Sequence, residues 1–342
     1  MIRRRPRVRF GDLALVAAGF VLLLELVFRV GGGTLLDHLR LVGPGILLIV
    51  GQELFAVLAN TLGWRAAFPR RPAPLPQLLA ARIAGDAVNY VTPTASLGGE
   101  LVRARLLAGR VPRLDLATSI AVGKLSQTVG QAVFVAAGLA LAVASAELAP
   151  ALRSASLISI GVLGTLVIGL SIAQRRGLLA ALVRTATRAG PLARFAHLAE
   201  HAARLDAEIV KLHHAPERPF LVSCLWFFLG WALGAVEIAL MLWLLGVEVT
   251  VTRAITIEAL SVGLDAMLFF VPAKLGTQEG GKVLIFTALG LDPALGLTVG
   301  VLRRIRELSW ALAGLVIVGR SGLSRHGVHE VASASSESLT TD

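Results

Sequence analysis

Two stretches of the sequence, YVTPTASLGGELVR at residues 90–103 and FFVPAKLGTQEGGK at residues 269–282, decide the fold. They align with one another at a constant offset of 179 residues. The aligned pairs are Asp86 with Asp265, Tyr90 with Phe269, Pro93 with Pro272, Glu100 with Glu279, Arg103 with Lys282, and Lys124 with Arg303. Six matches of residue class at a single offset indicate an internal repeat.

The regions that contain these stretches, 78–108 and 254–289, are apolar but interrupted by proline and glycine. Proline removes one backbone donor and biases the residue before it away from the helical region. Broken backbone at membrane depth is tolerated only where it is buried in protein or lines a wet cavity. We therefore predict two helical hairpins with hinges at Pro93 and Pro272. Whether they are re-entrant or fully spanning stays open.

The composition predicts a polytopic, all-α membrane protein. Hydrophobic residues make up 55% and charged residues 16% of 342 residues, and mean hydropathy is +0.75. Soluble chains carry about 25% charged residues, so ordinary soluble enzymes, disordered proteins and nucleic-acid binders are excluded. A membrane-spanning helix needs about 20 apolar residues. The stretches of that length lie at 11–30, 41–62, 115–145, 155–173, 219–245 and 295–319.

The distribution of basic residues predicts the topology. With a cytoplasmic N-terminus, 22 Lys and Arg, among them the loop residues Arg103, Arg105, Arg110 and Arg113, fall on the cytoplasmic side and 4 on the other. Positive residues favour the cytoplasmic side, so both termini are predicted to be cytoplasmic and topology explains most of the net charge of +11. Three single spans separate the hairpins, and this odd number makes the repeat an inverted one, as in transporters with a midplane site.

One integral membrane domain is predicted over residues 1–320, with repeat units at about 77–145 and 254–319. The segment 174–217 resembles an amphipathic cytoplasmic helix, and 321–342 is a polar cytoplasmic tail. The basic N-terminus and the apolar run after it have the outline of a signal peptide. That run is long and contains Glu25, so we interpret it as an uncleaved first helix.

Seven basic residues lie inside apolar segments, where a charge costs at least about 2.5–3.5 kcal/mol and is expected to face a cavity and to be paired. Arg82, Asp86 and Asn89 have the spacing of one helix face. A second face carries Arg303, Arg306, Glu307 and Trp310. The intramembrane basic residues are Arg82, Lys124, Lys274, Lys282, Arg303, Arg304 and Arg306. The acids that share the interior are Glu25, Glu53, Asp86, Glu100, Glu237, Glu258, Asp265, Glu279 and Glu307.

We interpret these charges as lining a cavity for a polar, phosphate-bearing headgroup. Arginine binds phosphate through two hydrogen bonds, and glycine pairs near resumed helix starts offer backbone N–H groups to anions. The alternative is ion pairs that only hold helices together, and it is favoured for Glu25 and Glu237 taken singly. The candidate substrate-binding residues are Arg82, Asp86, Asn89, Gly98, Gly99, Glu100, Lys124, Glu258, Asp265, Gln278, Glu279, Arg303, Arg304, Arg306 and Glu307.

Signals for catalysis are poor. No histidine falls in a predicted span, since His38 is assigned to the outer loop between 11–30 and 41–62, and no Walker motif, nucleophile elbow or HExxH sequence is present. His197 and His201 have a spacing that allows metal binding, but a solvated helix face explains them better. Cys224 is the single cysteine, so no disulfide forms within the chain. We predict no catalytic residues, no cofactor and no metal.

The stretches ARIAGDAVNYVTPTASLGGELVRARLL (81–107) and EALSVGLDAMLFFVPAKLGTQEGG (258–281), with RRIREL (303–308), resemble the flippase-like family of the lysylphosphatidylglycerol synthase transmembrane region. The VPAKLGTQEGG and RRIREL patterns are most similar to its hopanoid-biosynthesis-associated branch. The resemblance covers most of residues 40–320. It implies a bacterial inner-membrane protein related to the lipid-translocating half of multiple peptide resistance factors.

The resemblance also implies which residues matter. By matching position, the polar motif residues are Asp86, Asn89, Pro93, Gly98, Gly99, Glu100, Glu258, Pro272, Gly276, Gln278, Glu279, Gly280, Gly281, Arg304, Arg306 and Glu307. Lys124 stands where an acid is usual and Lys274 where a small residue is usual, which leaves the charge of the substrate open. The soluble aminoacyl-transferring domain is not found here, so lysyl transfer is not expected.

The leading hypothesis is therefore a lipid flippase or transporter that handles a hopanoid, isoprenoid or phospholipid. A non-transporting accessory or scaffold protein of a lipid-biosynthesis pathway is the alternative, and an intramembrane lipid-modifying enzyme is a third, weaker hypothesis. The expected partners are a membrane lipid and, under the alternative, a lipid-biosynthesis enzyme. No nucleic-acid partner is expected.

Overall fold

The fold consists of long helices joined by short turns. The structure is a computed structural model that describes residues 21, 24–29, 31–92, 97–145, 154, 157–165, 169, 218–267 and 276–321. These residues include helices and no strand, which confirms the predicted all-α membrane protein. The helices are α1 Gly32–Val42, α2 Ile46–Ala66, α3 Leu75–Val91, α4 Leu97–Leu106, α5 Arg113–Ala144, α6 Arg218–Leu244, α7 Val251–Met267, α8 Thr277–Ala288 and α9 Pro293–Arg320.

Three helical stretches of the described chain are long and apolar enough to cross a membrane: Gly32–Ala66, Arg113–Ala144 and Arg218–Leu244. They match the predicted spans 41–62, 115–145 and 219–245. The first combines α1 and α2 through the 3-10 turn Gly43–Gly45. The predicted span 295–319 lies within α9, which carries four charged residues near its middle. The predicted span 11–30 lies largely outside the described residues, and of the predicted span 155–173 the structure describes 157–165, which are helical, and residue 169.

The order of helices in α3–α4–α5 recurs in α7–α8–α9. Each set begins with a 17-residue helix and continues with a short helix of 10 or 12 residues. A turn with a left-handed glycine follows, Gly109 at φ 75° or Gly290 at φ 70°, where glycine avoids the penalty that a Cβ would incur. A helix of 32 or 28 residues ends each set. The predicted hinges, Pro93 and Pro272, lie outside the described residues.

The long helix of each set packs on the first helix of the other set. Helix α9 crosses α3, and α5 crosses α7. A methyl group added at Gly314 would overlap Cβ of Ala87 and the backbone carbonyl of Ile83, and one added at Gly138 would overlap Cβ of Ala259. Small residues allow membrane helices to approach closely, so a glycine–alanine contact forms each crossing. We call these the α3–α9 crossing and the α5–α7 crossing.

Helix α6 holds α2 and α5 together. Ser223 donates a 2.8 Å hydrogen bond to the carbonyl oxygen of Gly63, and Gln52 donates a 2.9 Å bond to that of Leu233. Phe227 is buried in a cluster with Trp64 and Leu78. The start of α9 is fixed locally, because the Asp292 carboxylate accepts a 2.8 Å bond from the amide of Ala294, as N-cap residues do.

The predictions of a cytoplasmic amphipathic segment at 174–217 and of a polar tail lie outside the described residues, except for Ser321. They stay predictions, as do the domain limits.

Candidate functional site

The first group of buried charges is centred on Asp86 of α3. Its Oδ2 accepts a 2.9 Å hydrogen bond from Nε of Arg82, one turn earlier on the same helix. Its Oδ1 accepts a 2.5 Å bond from Nη2 of Arg103 on α4. Both arginine side chains are buried, whereas 46% of the Asp86 side chain is exposed. The pair predicted from spacing on α3 is therefore present, and one carboxylate faces open space.

Glu100 extends this group to α5. Its Oε2 accepts a 2.9 Å bond from Nη1 of Arg103, and its Oε1 lies 3.3 Å from Nζ of Lys124. The Lys124 side chain is 47% exposed. We call Arg82, Asp86, Glu100, Arg103 and Lys124 the first charge cluster. It contains three cations and two carboxylates, and Lys124 is its exposed cation.

Aromatic rings stabilise the two buried arginines of the first charge cluster. The guanidinium carbon of Arg82 lies 5.7 Å from the ring centre of Phe227. That of Arg103 lies 5.5 Å from the ring centre of Trp64. Such cation–π contacts favour a desolvated guanidinium. Each buried arginine of the cluster therefore contacts both a carboxylate and an aromatic ring.

A close approach of α3 and α4 positions the hairpin. The amide of Gly99 donates a 2.7 Å hydrogen bond to Oδ1 of Asn89, and a methyl group at Gly99 would overlap the carbonyl oxygen of Gly85. The Gly99 amide is thus occupied within the protein. This corrects the expectation that it is open to an anion, since here Gly99 and Asn89 pack the hairpin.

The second group of charges is centred on Arg303 of α9. Its Nη1 and Nη2 donate bonds of 3.2 and 2.6 Å to the two carboxylate oxygens of Glu258 on α7. Nη2 also lies 2.9 Å from Oε2 of Glu237 on α6. All three side chains are at most 6% exposed. The guanidinium of Arg303 therefore joins α6, α7 and α9 in the interior of the protein.

Arg306 makes a parallel connection one turn further along α9. It is hydrogen-bonded to Glu53 of α2 and donates a 3.2 Å bond to Glu237. The indole of Trp310, on the same helix, donates a 2.9 Å bond to the carbonyl oxygen of Val50. Glu237 therefore lies between two arginines of one helix, which fits the ion-pair interpretation of that residue.

Arg304 connects the second group to the first unit. Its Nε donates a 3.0 Å bond to Oε1 of Glu279 on α8, and its Nη1 donates a 2.9 Å bond to the phenol oxygen of Tyr90 on α3. Glu307 accepts a 3.0 Å bond from Gln278 and lies 3.6 Å from Arg304. The predicted site residues of α8 and α9 thus meet at the end of α3.

Lys282 of α8 is among the largest fully buried side chains. The carboxylates of Asp265, Glu258 and Glu307 attract it, and Arg303 repels it. We call this whole group the second charge cluster. Its members are Glu53, Glu237, Glu258, Asp265, Glu279, Lys282, Arg303, Arg304, Arg306 and Glu307. With six carboxylates and four cations it carries net negative charge, in contrast to the first charge cluster.

An open cavity of about 130 Å³ lies between α2, α3 and α9, at the α3–α9 crossing. We call it the polar cavity. Its polar lining combines Asp86 of the first charge cluster with members of the second. The polar lining residues are Glu53, Asp86, Tyr90, Arg306, Glu307 and Trp310. Three carboxylates, a phenol, an indole and one guanidinium therefore face a single space.

The predicted site residues are distributed unequally around this cavity. Asp86, Arg306 and Glu307 line it, whereas Arg82 and Arg303 are buried against carboxylates.

Two further residues of the sequence analysis lie away from this cavity. Gly98 lies in the first turn of α4. Glu25, predicted as a simple ion pair, lies 2.5 Å from Arg29, and both are exposed.

Six residues of the site were not among the predicted binding residues: Glu53, Tyr90, Arg103, Glu237, Lys282 and Trp310. Arg103 was counted with a cytoplasmic loop, but it is buried within the first charge cluster. Its alignment with Lys282 at the 179-residue offset was the signal that both belong to the interior. Tyr90 lay in the same repeat alignment. Glu53 and Glu237 were recognised as intramembrane acids but could not be assigned partners from sequence.

Comparisons with known proteins agree with this architecture. A family model described as "Lysylphosphatidylglycerol synthase TM region" matches residues 11–315. No curated protein and no solved structure gives a significant match.

Proposed function

The chain belongs to the family of the lysylphosphatidylglycerol synthase transmembrane region, and on this basis we propose that it is a flippase-like lipid transporter of the bacterial inner membrane. Both termini face the cytoplasm in this proposal. The observation that carries it is the polar cavity, in which charged residues from both units face one open space. The lipid is amphipathic, of the hopanoid, isoprenoid or phospholipid type.

The energetics of the charge clusters support a role beyond holding helices together. Replacing a buried ion pair by apolar residues of similar volume is often neutral or stabilising. Ionisable residues at membrane depth usually mark a substrate or ion pathway. Here the ionisable residues line the polar cavity. A cavity lined only by apolar side chains would stay dry. A polar group that leaves the water layer finds replacement hydrogen-bonding partners in the polar cavity.

The lining of the polar cavity defines which headgroup chemistry it accepts. The carboxylates of Glu53, Asp86 and Glu307 accept hydrogen bonds from hydroxyl or ammonium groups. Arg306 offers one guanidinium to a phosphate or hydroxyl oxygen. Arg82 and Arg103 each donate a hydrogen bond to the Asp86 carboxylate and orient it towards the space. The polar head occupies this cavity while the hydrocarbon part stays in the apolar phase, and movement of the two hairpins alternates the side of access.

Reconstitution into proteoliposomes tests the proposal. The probe is phosphatidylethanolamine with an NBD-labelled chain, and chemical quenching from outside measures its movement between leaflets. We expect the Asp86→Asn and Arg306→Gln variants to lose at least about tenfold in rate, the scale of a lost charged contact of about 1.5–3 kcal/mol. Arg40→Gln is the control, since Arg40 pairs with Asp37 at the exposed surface. Unchanged movement in both cavity variants would overturn the proposal.

An accessory or scaffold protein of a lipid-biosynthesis pathway is the second candidate. Exposed arginines at the adjoining ends of α2, α4 and α5 favour it, because they form a basic surface for an acidic partner. These are Arg65, Arg70, Arg71, Arg105, Arg110 and Arg113. Co-purification with a lipid-synthesis enzyme, together with no lipid movement by the isolated protein, would favour this candidate over the transporter.

A further inference from the structure

The α5–α7 crossing also contains a cavity, but its character is the reverse of the polar cavity. It has a volume of about 620 Å³ and lies between α5, the helical stretch 157–165, α7 and α8. We call it the apolar cavity. Since α5 and α7 correspond to α9 and α3 in the order of helices, the two cavities occupy corresponding places in the two units.

Small residues create the space, and branched aliphatic side chains form its walls. Gly263 and Ala259 of α7 and Ala132 of α5 leave room, while Val135 and Leu264 line it. Among the described lining residues none is charged. The volume falls within the range of about 300–1,000 Å³ that is typical of small-molecule sites. The cavity therefore suits a hydrocarbon group, and its described polar lining is limited to Thr128, Gln131 and Ser159.

One face of α5 connects this apolar cavity to the first charge cluster. Lys124, Thr128, Gln131, Val135 and Leu139 follow one another at spacings of three or four residues, so they lie along one face of the helix. The last four line the apolar cavity. Lys124 lies one turn before them and is 47% exposed. The face thus runs from a cation through two polar side chains to an apolar wall.

We propose that the apolar cavity binds a hydrocarbon chain of a phosphate-bearing lipid whose headgroup lies at Lys124. Seven residues separate Lys124 from Gln131, about 10 Å along a helix, which places the headgroup and the start of a chain on one face. The first charge cluster has one more cation than carboxylates, and its exposed cation is Lys124, so an anionic headgroup is favoured there. This inference rests on the proposed function, because it names the class of lipid handled and places its headgroup at Lys124, in the same charge cluster as Asp86, before the headgroup enters the polar cavity.

Photo-crosslinking of the full chain in vesicles tests this inference. The probe is phosphatidic acid with a diazirine on one acyl chain, and phosphatidylcholine with the same chain is the comparison. Peptides labelled on the purified protein are identified by mass spectrometry. We expect phosphatidic acid to label α5 at 128–139 and α7 at 259–266 several-fold more than phosphatidylcholine does.

Two variants separate the chain site from the headgroup site. Gly263→Leu fills the apolar cavity, and it is compatible with the fold because a Cβ at Gly263 meets only Val135 Cγ1, at 3.7 Å. We expect it to reduce labelling of both helices at least about fivefold for either lipid. Lys124→Gln is expected to remove the preference for phosphatidic acid and to leave labelling by phosphatidylcholine unchanged. Gly51→Leu, a helix glycine with nothing within 4 Å of its Cβ, is the matched control and should behave as the wild type.

Each contrary outcome has a defined meaning. Equal labelling by the two lipids, unaffected by Lys124→Gln, would overturn the headgroup site and indicate bilayer lipid without selection. Labelling unaffected by Gly263→Leu would overturn the chain site. The same vesicles are assayed for lipid movement with the NBD probe. Expected labelling without movement would overturn the transporter alone, and movement without labelling of the cavity would overturn only this inference.

Discussion

The guanidinium of Arg304 donates a 2.9 Å hydrogen bond to the phenol oxygen of Tyr90, which lies 214 residues earlier in the chain. The bond joins α9 to the last turn of α3, beside the polar cavity that Tyr90 lines. It is a direct link between the second charge cluster and the first unit. The stability of this link therefore affects both the α3–α9 crossing and the shape of the cavity.

Tyr90→Phe removes the phenol oxygen and keeps the ring. We expect the thermal unfolding temperature in detergent to fall by an amount equivalent to about 1.5–3 kcal/mol, because a hydrogen bond to a charged group is lost. A double-mutant cycle with Arg304→Gln measures the coupling between the two residues. Additive effects of the two substitutions would contradict a direct interaction.

Arg303→Met leaves Glu237 and Glu258 buried without their shared guanidinium. We expect a loss of about 3–5 kcal/mol, as for other broken buried ion pairs, measured by thermal unfolding in detergent. The double variant with Glu258→Gln should recover part of this loss, because one uncompensated charge is removed. Arg40→Met breaks an exposed pair with Asp37 and should cost less than about 1 kcal/mol. Equal losses in Arg303→Met and Arg40→Met would refute the central role of Arg303.

Gly99→Ala places a methyl group against the carbonyl oxygen of Gly85. We expect a destabilisation of about 1–3 kcal/mol from this overlap, together with weaker bonding of Asn89 to the Gly99 amide. Gly51→Ala introduces the same methyl group where nothing lies within 4 Å and should stabilise α2 by about 0.5–1 kcal/mol. Opposite signs in unfolding measurements are the expected result. Two changes of the same sign would show that the approach of α3 and α4 is not tight.

Gly314→Leu forces α9 away from Ala87 and Ile83. We expect it to lower the yield of folded protein on size-exclusion chromatography and to reduce stability by more than about 1–3 kcal/mol, the typical cost of overpacking. Gly319→Leu lies on the same helix with nothing within 4 Å of its Cβ and serves as the control. A folded Gly314→Leu protein with unchanged unfolding would mean that the α3–α9 crossing is loose.

The sequence was sufficient to predict the helical class and many of the charged residues that the structure buries, because these follow from hydropathy and from a repeat offset. The hinges at Pro93 and Pro272 stay predictions. The sequence was not sufficient to assign partners to the charges. Arg303 binds Glu237 and Glu258 because α9, α6 and α7 pack together at this point. The spacing of residues within one helix does not predict which distant helices pack against it. Only pairs four residues apart on one helix, such as Arg82 and Asp86, could be predicted from the sequence, since the geometry of a single helix sets the distance between them.

The burial of Arg103 illustrates the same limit. Arg103 lies close to Arg105 and Arg110, both exposed, and positive-inside reasoning grouped the three together. Helix α4 is short, however, and its packing on α3 at Gly99 turns Arg103 towards Asp86. The apolar cavity was likewise not predicted, because alanine and glycine in a helix do not reveal whether they face lipid, protein or an open space.

The α3–α9 crossing and the α5–α7 crossing together constrain how the two units can move relative to each other. Both join the same two units, so under the proposed function a rigid rotation of one unit about an axis between the crossings would widen one cavity as it narrowed the other. Filling of either cavity would then change the shape of the other, without a separate moving part.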